Sequence, residues 1–474
     1  MDKKAMKPSN GIFKREEGLS GLSPKERKAM EAYCADYMGF LGKAKTERRA
    51  YAESVALLER NGFRPLDSFK TLKTGDRFYR GYHGKTLLAA IVGKRSPAMG
   101  VDVVGGHTDA PRIDLKPVPL TEKGGLAYFD THYYGGIKKY QWLVRPLALY
   151  GVVCKPDGTR IDIAIGDDPV DPIFMITDIL PHLGQEQAKK ALSEAIPGES
   201  LDLLIASEPC PKASDDKDVK EKVKLNVLRM LGEKYGITEE DLVSAELEIV
   251  PAGMPREMGF DRSMIADYGH DDRICAYAGL RALIDQGDVP ERTAVVIMCD
   301  KEEIGSVGAT GMDSSFFENS IAELLFRYDA KGYSDIVTRR ALEASRMLSA
   351  DVTNASDPLF SDLDAPNNTA ILNAGGCFNK YTGSRGKSGA NDARAEFLAS
   401  LRGVFAKHKV AWQIGELGKV DKGGGGTIAL FMSRFGMDVV DLGTPLLNMH
   451  APCEVAAKFD AYMTYRAYWA FFKG

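Results

Sequence analysis

Val101-Asp102-Val103-Val104-Gly105-Gly106-His107-Thr108-Asp109 passes from a short apolar run into an imidazole and a carboxylate. The run is nearly continuous rather than alternating, which is the pattern of a strand covered on both faces. Thr86–Val92, just before it, reads the same way. Polar groups at the exit of a covered strand matter, because open α/β sheets bind ligands beyond the carboxyl ends of their strands.

The pattern recurs along the chain. Ala294–Cys299 is an apolar run that exits into Cys299-Asp300-Lys301-Glu302-Glu303-Ile304-Gly305-Ser306. Met347–Ala350 leads to Asp351 and is expected to continue as a strand through Val352 and Thr353. Asp438–Leu442 reads as a further strand, upstream of Leu447-Asn448-Met449-His450. Gly269-His270-Asp271-Asp272-Arg273 is the exception, since it precedes a helix with Ile274, Tyr277, Leu280 and Leu283 at helical spacing. Cys453–Phe472 reads as a closing amphipathic helix with Val455, Phe459 and Met463 on one face. The first 80 residues or so look helical, beginning at Ser23-Pro24-Lys25-Glu26 with a capping serine and an N1 proline. Alternation of this kind argues for an α/β layered sheet. Between about Arg112 and Ala252 the chain is instead β-rich, at Arg112–Leu120, Leu143–Cys154, Arg160–Ile165 and Glu246–Val250. It reads as an inserted or appended unit whose charged run, Lys212–Lys224, is a solvated loop or helix face.

Composition narrows the class. With 474 residues, 44% of them hydrophobic, the chain can bury one large core and a second beside it. The net charge of −4 gives no electrostatic reason to expect nucleic acid or an anionic membrane as partner. The seven cysteines are scattered without a C-x-x-C, which argues for a reducing compartment and a cytoplasmic protein. No apolar stretch approaches the ~18 residues that span a bilayer.

His107, Asp271, Glu303, Asp351 and His450 together form a donor set that suits zinc or a similar divalent ion. Three carboxylates against two divalent ions leave a residual positive charge that favours a bound hydroxide, and a shared carboxylate can hold such a pair. Next to Glu303, Glu302 is free to take a proton from metal-bound water and pass it to a leaving amine. Asp109, two residues from His107, can fix that imidazole's tautomer. Taken singly, each motif has a plainer reading. Glu302-Glu303 reads as a solvated face, Asp271-Asp272-Arg273 as a helix N-terminus, and His450 as a satisfied core histidine. Only their joint occurrence points to metal. There is no H-E-x-x-H and no G-x-S-x-G, and Gly423–Gly426 lacks the G-K-[ST] of a phosphate loop.

These motifs resemble those of the aspartyl aminopeptidase family, metallopeptidase family 18, over nearly the whole chain. Gly105-Gly106-His107-Thr108-Asp109-Ala110-Pro111 is similar to the family's G-A-H-T-D-S-P, and His270-Asp271-Asp272-Arg273 stands where it has L-D-N. Asp300-Lys301-Glu302-Glu303-Ile304-Gly305-Ser306 is similar to D-x-E-E-[IV]-G-S. Ser349-Ala350-Asp351 matches S-A-D, and Leu447-Asn448-Met449-His450 resembles L-S-M-H. The resemblance implies a mixed-sheet α/β zinc aminopeptidase domain, residues 1–112 and 253–474, with a β-rich dimerisation domain inserted at 113–252. It implies two divalent ions per subunit, zinc in the family, with Asp271 bridging and His107, Glu303, Asp351 and His450 terminal. Glu302 is then the general base and Asp109 the residue that orients His107. It further implies peptide substrates and a homodimer that assembles into a dodecamer. By the same resemblance His182 reaches a partner's active site to stabilise the tetrahedral intermediate.

For the substrate, the family's lysine that pairs with an acidic side chain has Ala374 in its place here. A preference for acidic N-terminal residues then rests on Lys380, Arg385 or Lys387. Asp421, before the glycine run, corresponds to an acid near the family's substrate pocket. Two alternatives stand beside this reading: another metallohydrolase of the clan, a carboxypeptidase or deacylase, and a catalytically silent assembly protein.

Overall fold

Ser23 opens the first helix, Pro24–Leu41, with a reciprocal cap. Its Oγ accepts from Glu26 N at 3.3 Å, and Glu26 Oε2 accepts from Ser23 N at 3.0 Å. A second helix, Glu47–Arg60, follows. The helical reading of the first 80 residues ends sooner than expected, because Arg77–Tyr82 is already a strand hairpinned with Thr86–Ile91. The computed structural model describes residues 18–211, 220–386 and 388–474.

A nine-stranded mixed sheet organises the molecule, and Asp102–His107 lies near its middle. This strand runs parallel to Ala294–Cys299 on one side and to Arg346–Ser349 on the other, which is in turn parallel to Asp438–Gly443. Its apolar side chains divide between two cores. Val104, Val296, Leu348 and Val440 face the helices His270–Ile284 and Lys458–Lys473, whereas Val103, Val295, Ile297 and Met347 face Phe316–Tyr328 and Asp335–Glu343. That division is the two-residue period of a strand with both faces covered. Each such valine or isoleucine contributes roughly 1.5–3 kcal/mol of burial. Register then does the positioning. His107 pairs with Cys299 and Gly105 with Ser349, so three strands exit at one edge and deliver His107, Glu302-Glu303 and Asp351 together.

Two expected elements break where function intervenes. The strand Arg346–Ser349 stops instead of continuing through Val352, and Thr353–Asn354 joins a separate five-stranded sheet beside Pro445–Leu447. Its chain turns at Asp351, whose carbonyl packs so closely on Gly443 that a Cβ there would lie 1.7 Å away. The closing helix begins at Lys458, not Cys453, because Glu454–Ala457 pairs as a strand with Met264–Asp267. The spacing of Val455, Phe459 and Met463 suggested one helix, but Val455 belongs to the strand.

Residues 112–251 carry a six-stranded antiparallel sheet, in the order Arg160–Ile165, Leu147–Cys154, Ala245–Pro251, Arg112–Lys123, Leu126–Tyr134 and Leu203–Ala206. It has its own core around Trp142, Phe129, Leu149, Val153 and Ile249. Of the charged run Lys212–Lys224, residues 212–219 lie outside the described residues, and Lys222 opens the helix Lys222–Tyr235. No described helix is long and apolar enough to cross a membrane.

Candidate metal centre

Gly106 explains how the centre closes around His107. A Cβ at Gly106 would lie 2.5 Å from Asp272 Oδ2, and that oxygen accepts the His107 backbone N–H at 3.3 Å. Arg273 Nε donates to Thr108 O at 3.0 Å. The start of the helix His270–Ile284 is thereby tied to the end of the central strand, and Asp271 faces His107. The Asp271–Asp272 peptide is cis.

The His107 Nδ1 edge is 3.0 Å from Asp109 O and 3.3 Å from Asp109 Oδ1. Proton placement on Nδ1 leaves the Nε2 lone pair facing inward. There Nε2 is 3.3 Å from Asp271 Oδ1 and 4.0 Å from both Asp351 Oδ1 and Glu302 Oε2. The other oxygen of Asp271, Oδ2, is 3.2 Å from His450 Nε2, which is 3.4 Å from Glu303 Oε2. His450 Nδ1 is anchored 2.9 Å from Gly136 O. Two triads result, His107 with Asp271 and Asp351, and Asp271 with Glu303 and His450, each with donor atoms within 4.8 Å. Asp271 is common to both and turns one oxygen to each histidine.

The electrostatics fit a cation. Asp271 Oδ1 and Glu303 Oε1 are buried without a hydrogen-bond partner among the described residues, an arrangement that costs free energy unless something positive completes it. Burial, together with neighbouring carboxylates, pushes the Glu303 and Asp351 carboxyls well above their usual range. Burial likewise raises Glu302 to about 7. Backbone strain is concentrated here as well: Lys301, Ser306, Asn448 and His450 hold φ of 69°, 61°, 60° and 64°, where a side chain costs about 1–3 kcal/mol.

Two residues that the sequence did not single out hold the centre together. Glu454 accepts the backbone N–H of Asp271 at 3.0 Å through Oε2 and that of His450 at 2.7 Å through Oε1. It was hidden by the helical reading of its segment. Tyr134 OH donates to Asp109 Oδ2 at 2.8 Å, and nothing in its local sequence marks it. Asp109 also accepts from Glu302 N and Glu303 N, at 3.1 and 3.2 Å, so it holds the glutamate loop as well as His107.

The centre opens into a cavity of about 800 Å³. Its lining includes Arg385, Tyr381, Leu417, Phe431 and the glycines Gly423–Gly426. Lys380 is not part of that lining. Its Nζ donates to Tyr381 OH at 2.9 Å and is 3.7 Å from Asp392. Asp421 is exposed and also outside the lining, beside Val420, which is part of it. Lys387 lies outside the described residues. His182 is exposed in the turn Pro181–Leu183 of the inserted region and is not brought to the cavity of its own chain.

Residues 40–472 match the family model described as "Aminopeptidase I zinc metalloprotease (M18)". The chain belongs to this family. A probable M18 family aminopeptidase 1 of Clostridium acetobutylicum is 48% identical over 451 residues, covering 94% of this chain and 96% of that protein. The crystal structure of an M18 family aminopeptidase from Thermotoga maritima superposes with a TM-score of 0.93 at 45% identity, covering 98% of this chain and 100% of that one. At 21% identity, a structure of the S. cerevisiae mApe1 dodecamer superposes with a TM-score of 0.75 over 94% of this chain and 97% of its own, a likeness of fold alone. This member of the M18 family is a zinc-dependent aminopeptidase, a hydrolase of peptide bonds with a mixed α/β fold. Neither the carboxypeptidase or deacylase reading nor the silent one is favoured by these relatives.

Proposed function

We propose that the two triads hold two divalent ions in each subunit, with Asp271 shared between them. The observation that carries this is the split of the Asp271 carboxylate, one oxygen toward His107 and the other toward His450. His107 and Asp351 would complete one position, Glu303 and His450 the other. Bound ions of this kind supply Lewis acidity toward the scissile carbonyl and make water acidic enough to lose a proton near neutral pH. The remaining work falls to the chain. Glu302 points at the same space as His107 Nε2 without belonging to either triad. It takes the proton of the attacking water and returns it to the leaving amine. Asp109 keeps His107 in the tautomer that leaves Nε2 free, and it fixes the loop that bears Glu302.

The inserted sheet is proposed as the dimerisation unit, in line with 113–252 as its extent and 1–112 with 253–474 as the catalytic part. Exposed Ile173, Ile179, Leu180 and Leu183 flank His182 and support an interface there. In that arrangement His182 serves a partner's cavity. Assembly to a dodecamer is proposed from the yeast relative. A cytoplasmic location is proposed on the spacing of the seven cysteines, which are scattered and form no C-x-x-C. For an acidic N-terminal residue the cations lining the cavity are Arg385 and Lys419, the latter donating to Asp362 O at 2.7 Å, and Lys380 acts through the Tyr381 hydroxyl it contacts. Asp421, beside Val420, is kept as a substrate contact at the rim.

Glu302→Gln tests the mechanism. It is expected to retain metal while turnover falls by about 10²–10⁴, measured by metal analysis and peptide hydrolysis. Near-normal turnover would remove Glu302 from its role. N-acetylated peptides are expected to resist cleavage, which separates an aminopeptidase from the other hydrolases of the clan.

A further inference from the structure

The reaction steps proposed above do not involve Tyr134, the last residue of the strand Leu126–Tyr134 in the inserted sheet. Its hydroxyl hydrogen-bonds Asp109 Oδ2 at 2.8 Å. That same oxygen receives Glu303 N–H at 3.2 Å, while Oδ1 receives Glu302 N–H at 3.1 Å and faces His107 Nδ1 at 3.3 Å. A carboxylate has about four acceptor positions, so these partners fill Asp109, which is fully buried. Tyr134 is the one partner among them that comes from outside the segments bearing metal ligands.

The ring is itself clamped. The Arg112 guanidinium lies 3.9 Å from its centroid. Arg112 is 2.7 Å from Asp114, 3.5 Å from Glu248 and 3.5 Å from Glu47. A second link runs in parallel, because Lys85 Nζ is 3.0 Å from Glu246 of the inserted sheet and 3.9 Å from Asp300, which precedes the glutamate loop. The inserted sheet is therefore braced against the catalytic loop through Tyr134 and Lys85; the turn after Tyr134 holds His450 through Gly136 O, whereas Tyr134 itself ends on the residue that orients His107.

We infer that Tyr134 is a positioning residue for the metalloaminopeptidase reaction, holding Asp109 so that His107, Glu302 and Glu303 keep their places around the metal centre. This rests on the metal-centre reading of the site. Without the hydroxyl, one Asp109 oxygen loses its outside anchor and the carboxylate is free to turn away from the glutamate N–H groups. Partners behind a metal ligand typically influence affinity or activity by ~10–100-fold.

The test uses the full chain and three variants. Tyr134→Phe keeps the ring under Arg112 and removes only the hydroxyl. Expected are a kcat lower by ~10–100-fold with KM little changed, weaker retention of Zn²⁺ in competition with a chelator, and an altered visible spectrum of the Co²⁺-loaded protein. Thr131→Val is the structural control. It removes a buried bond to Leu201 O, 2.8 Å long, on the same strand without touching Asp109. Thr131→Val is expected to lower the melting temperature and leave kcat, Zn²⁺ retention and spectrum as they are. In Asp109→Asn, adding Tyr134→Phe is expected to change little further, since the two act through one bond. Wild-type kcat, Zn²⁺ retention and Co²⁺ spectrum in Tyr134→Phe would overturn the proposal alone, and so would equal losses in Thr131→Val. A wild-type chain that takes up no Zn²⁺ would remove the metal-centre reading and this proposal with it.

Discussion

The strands Asp102–His107 and Leu126–Tyr134 meet water differently. All six residues of the first are buried, whereas the second alternates between half-open and buried positions as far as Thr131 and then exposes His132 and Tyr133. A strand covered on both faces has only its ends to offer, and here one end carries His107. A strand with one open face can offer that face to a partner and still reach inward at its end, as Tyr134 does. Chemistry accordingly collects at the edge of the nine-stranded sheet, whereas the inserted region exposes apolar residues such as Ile179, Leu180 and Leu183.

The contrast can be broken most severely at Asp271. Asp271→Asn weakens both triads together, so metal content is expected to fall at both positions and peptide hydrolysis to drop by orders of magnitude, while the fold persists by circular dichroism. Loss of one ion with the other fully retained would refute sharing. The two sheets should also differ in their tolerance of cavities. Ile297→Ala, in the doubly covered sheet, is expected to cost about 2–5 kcal/mol in denaturant unfolding. Ile161→Ala, on a half-buried strand of the inserted sheet, should cost about 1 kcal/mol.

A third test uses pH. Asp441, on the strand Asp438–Gly443, is raised to about 7 by burial, against an unfolded value near ~3.9. Between those values the folded chain binds the extra proton, so Asp441 lowers stability as pH rises from about 4 to about 7 and adds no further change above. Asp441→Asn is expected to flatten that part of the stability profile. The smallest effect is expected at the first helix, where Ser23→Ala removes one half of the cap at a cost of about 1 kcal/mol in thermal unfolding.

The legible parts were those with local causes. The Ser23 cap, the apolar runs at Thr86–Val92 and Ala294–Cys299, and the acid and imidazole groups at strand exits can all be read from neighbouring residues. Pairing of Asp102–His107 with Ala294–Cys299 cannot, because it depends on segments far apart in the chain. Glu454 and Tyr134 escaped notice for a related reason. Each acts through a single hydrogen-bonding group toward a distant loop, and neither sits in a pattern that periodicity or spacing reveals. The segment around Glu454 also mimics a helix until its pairing with Met264–Asp267 is known.

The position of the insertion has a consequence for how the protein is made. Every strand of the six-stranded sheet finds its neighbours within residues 112–251. The strand bearing His107 precedes that stretch, yet it must wait for Ala294–Cys299 and Arg346–Ser349, and the sheet beyond them for Asp438–Gly443. At a synthesis rate of about 5–20 residues per second, the stretch from His107 to Cys299 alone takes roughly 10–40 s. On the ribosome, the later-encoded sheet can be complete while the earlier strand still lacks its partners.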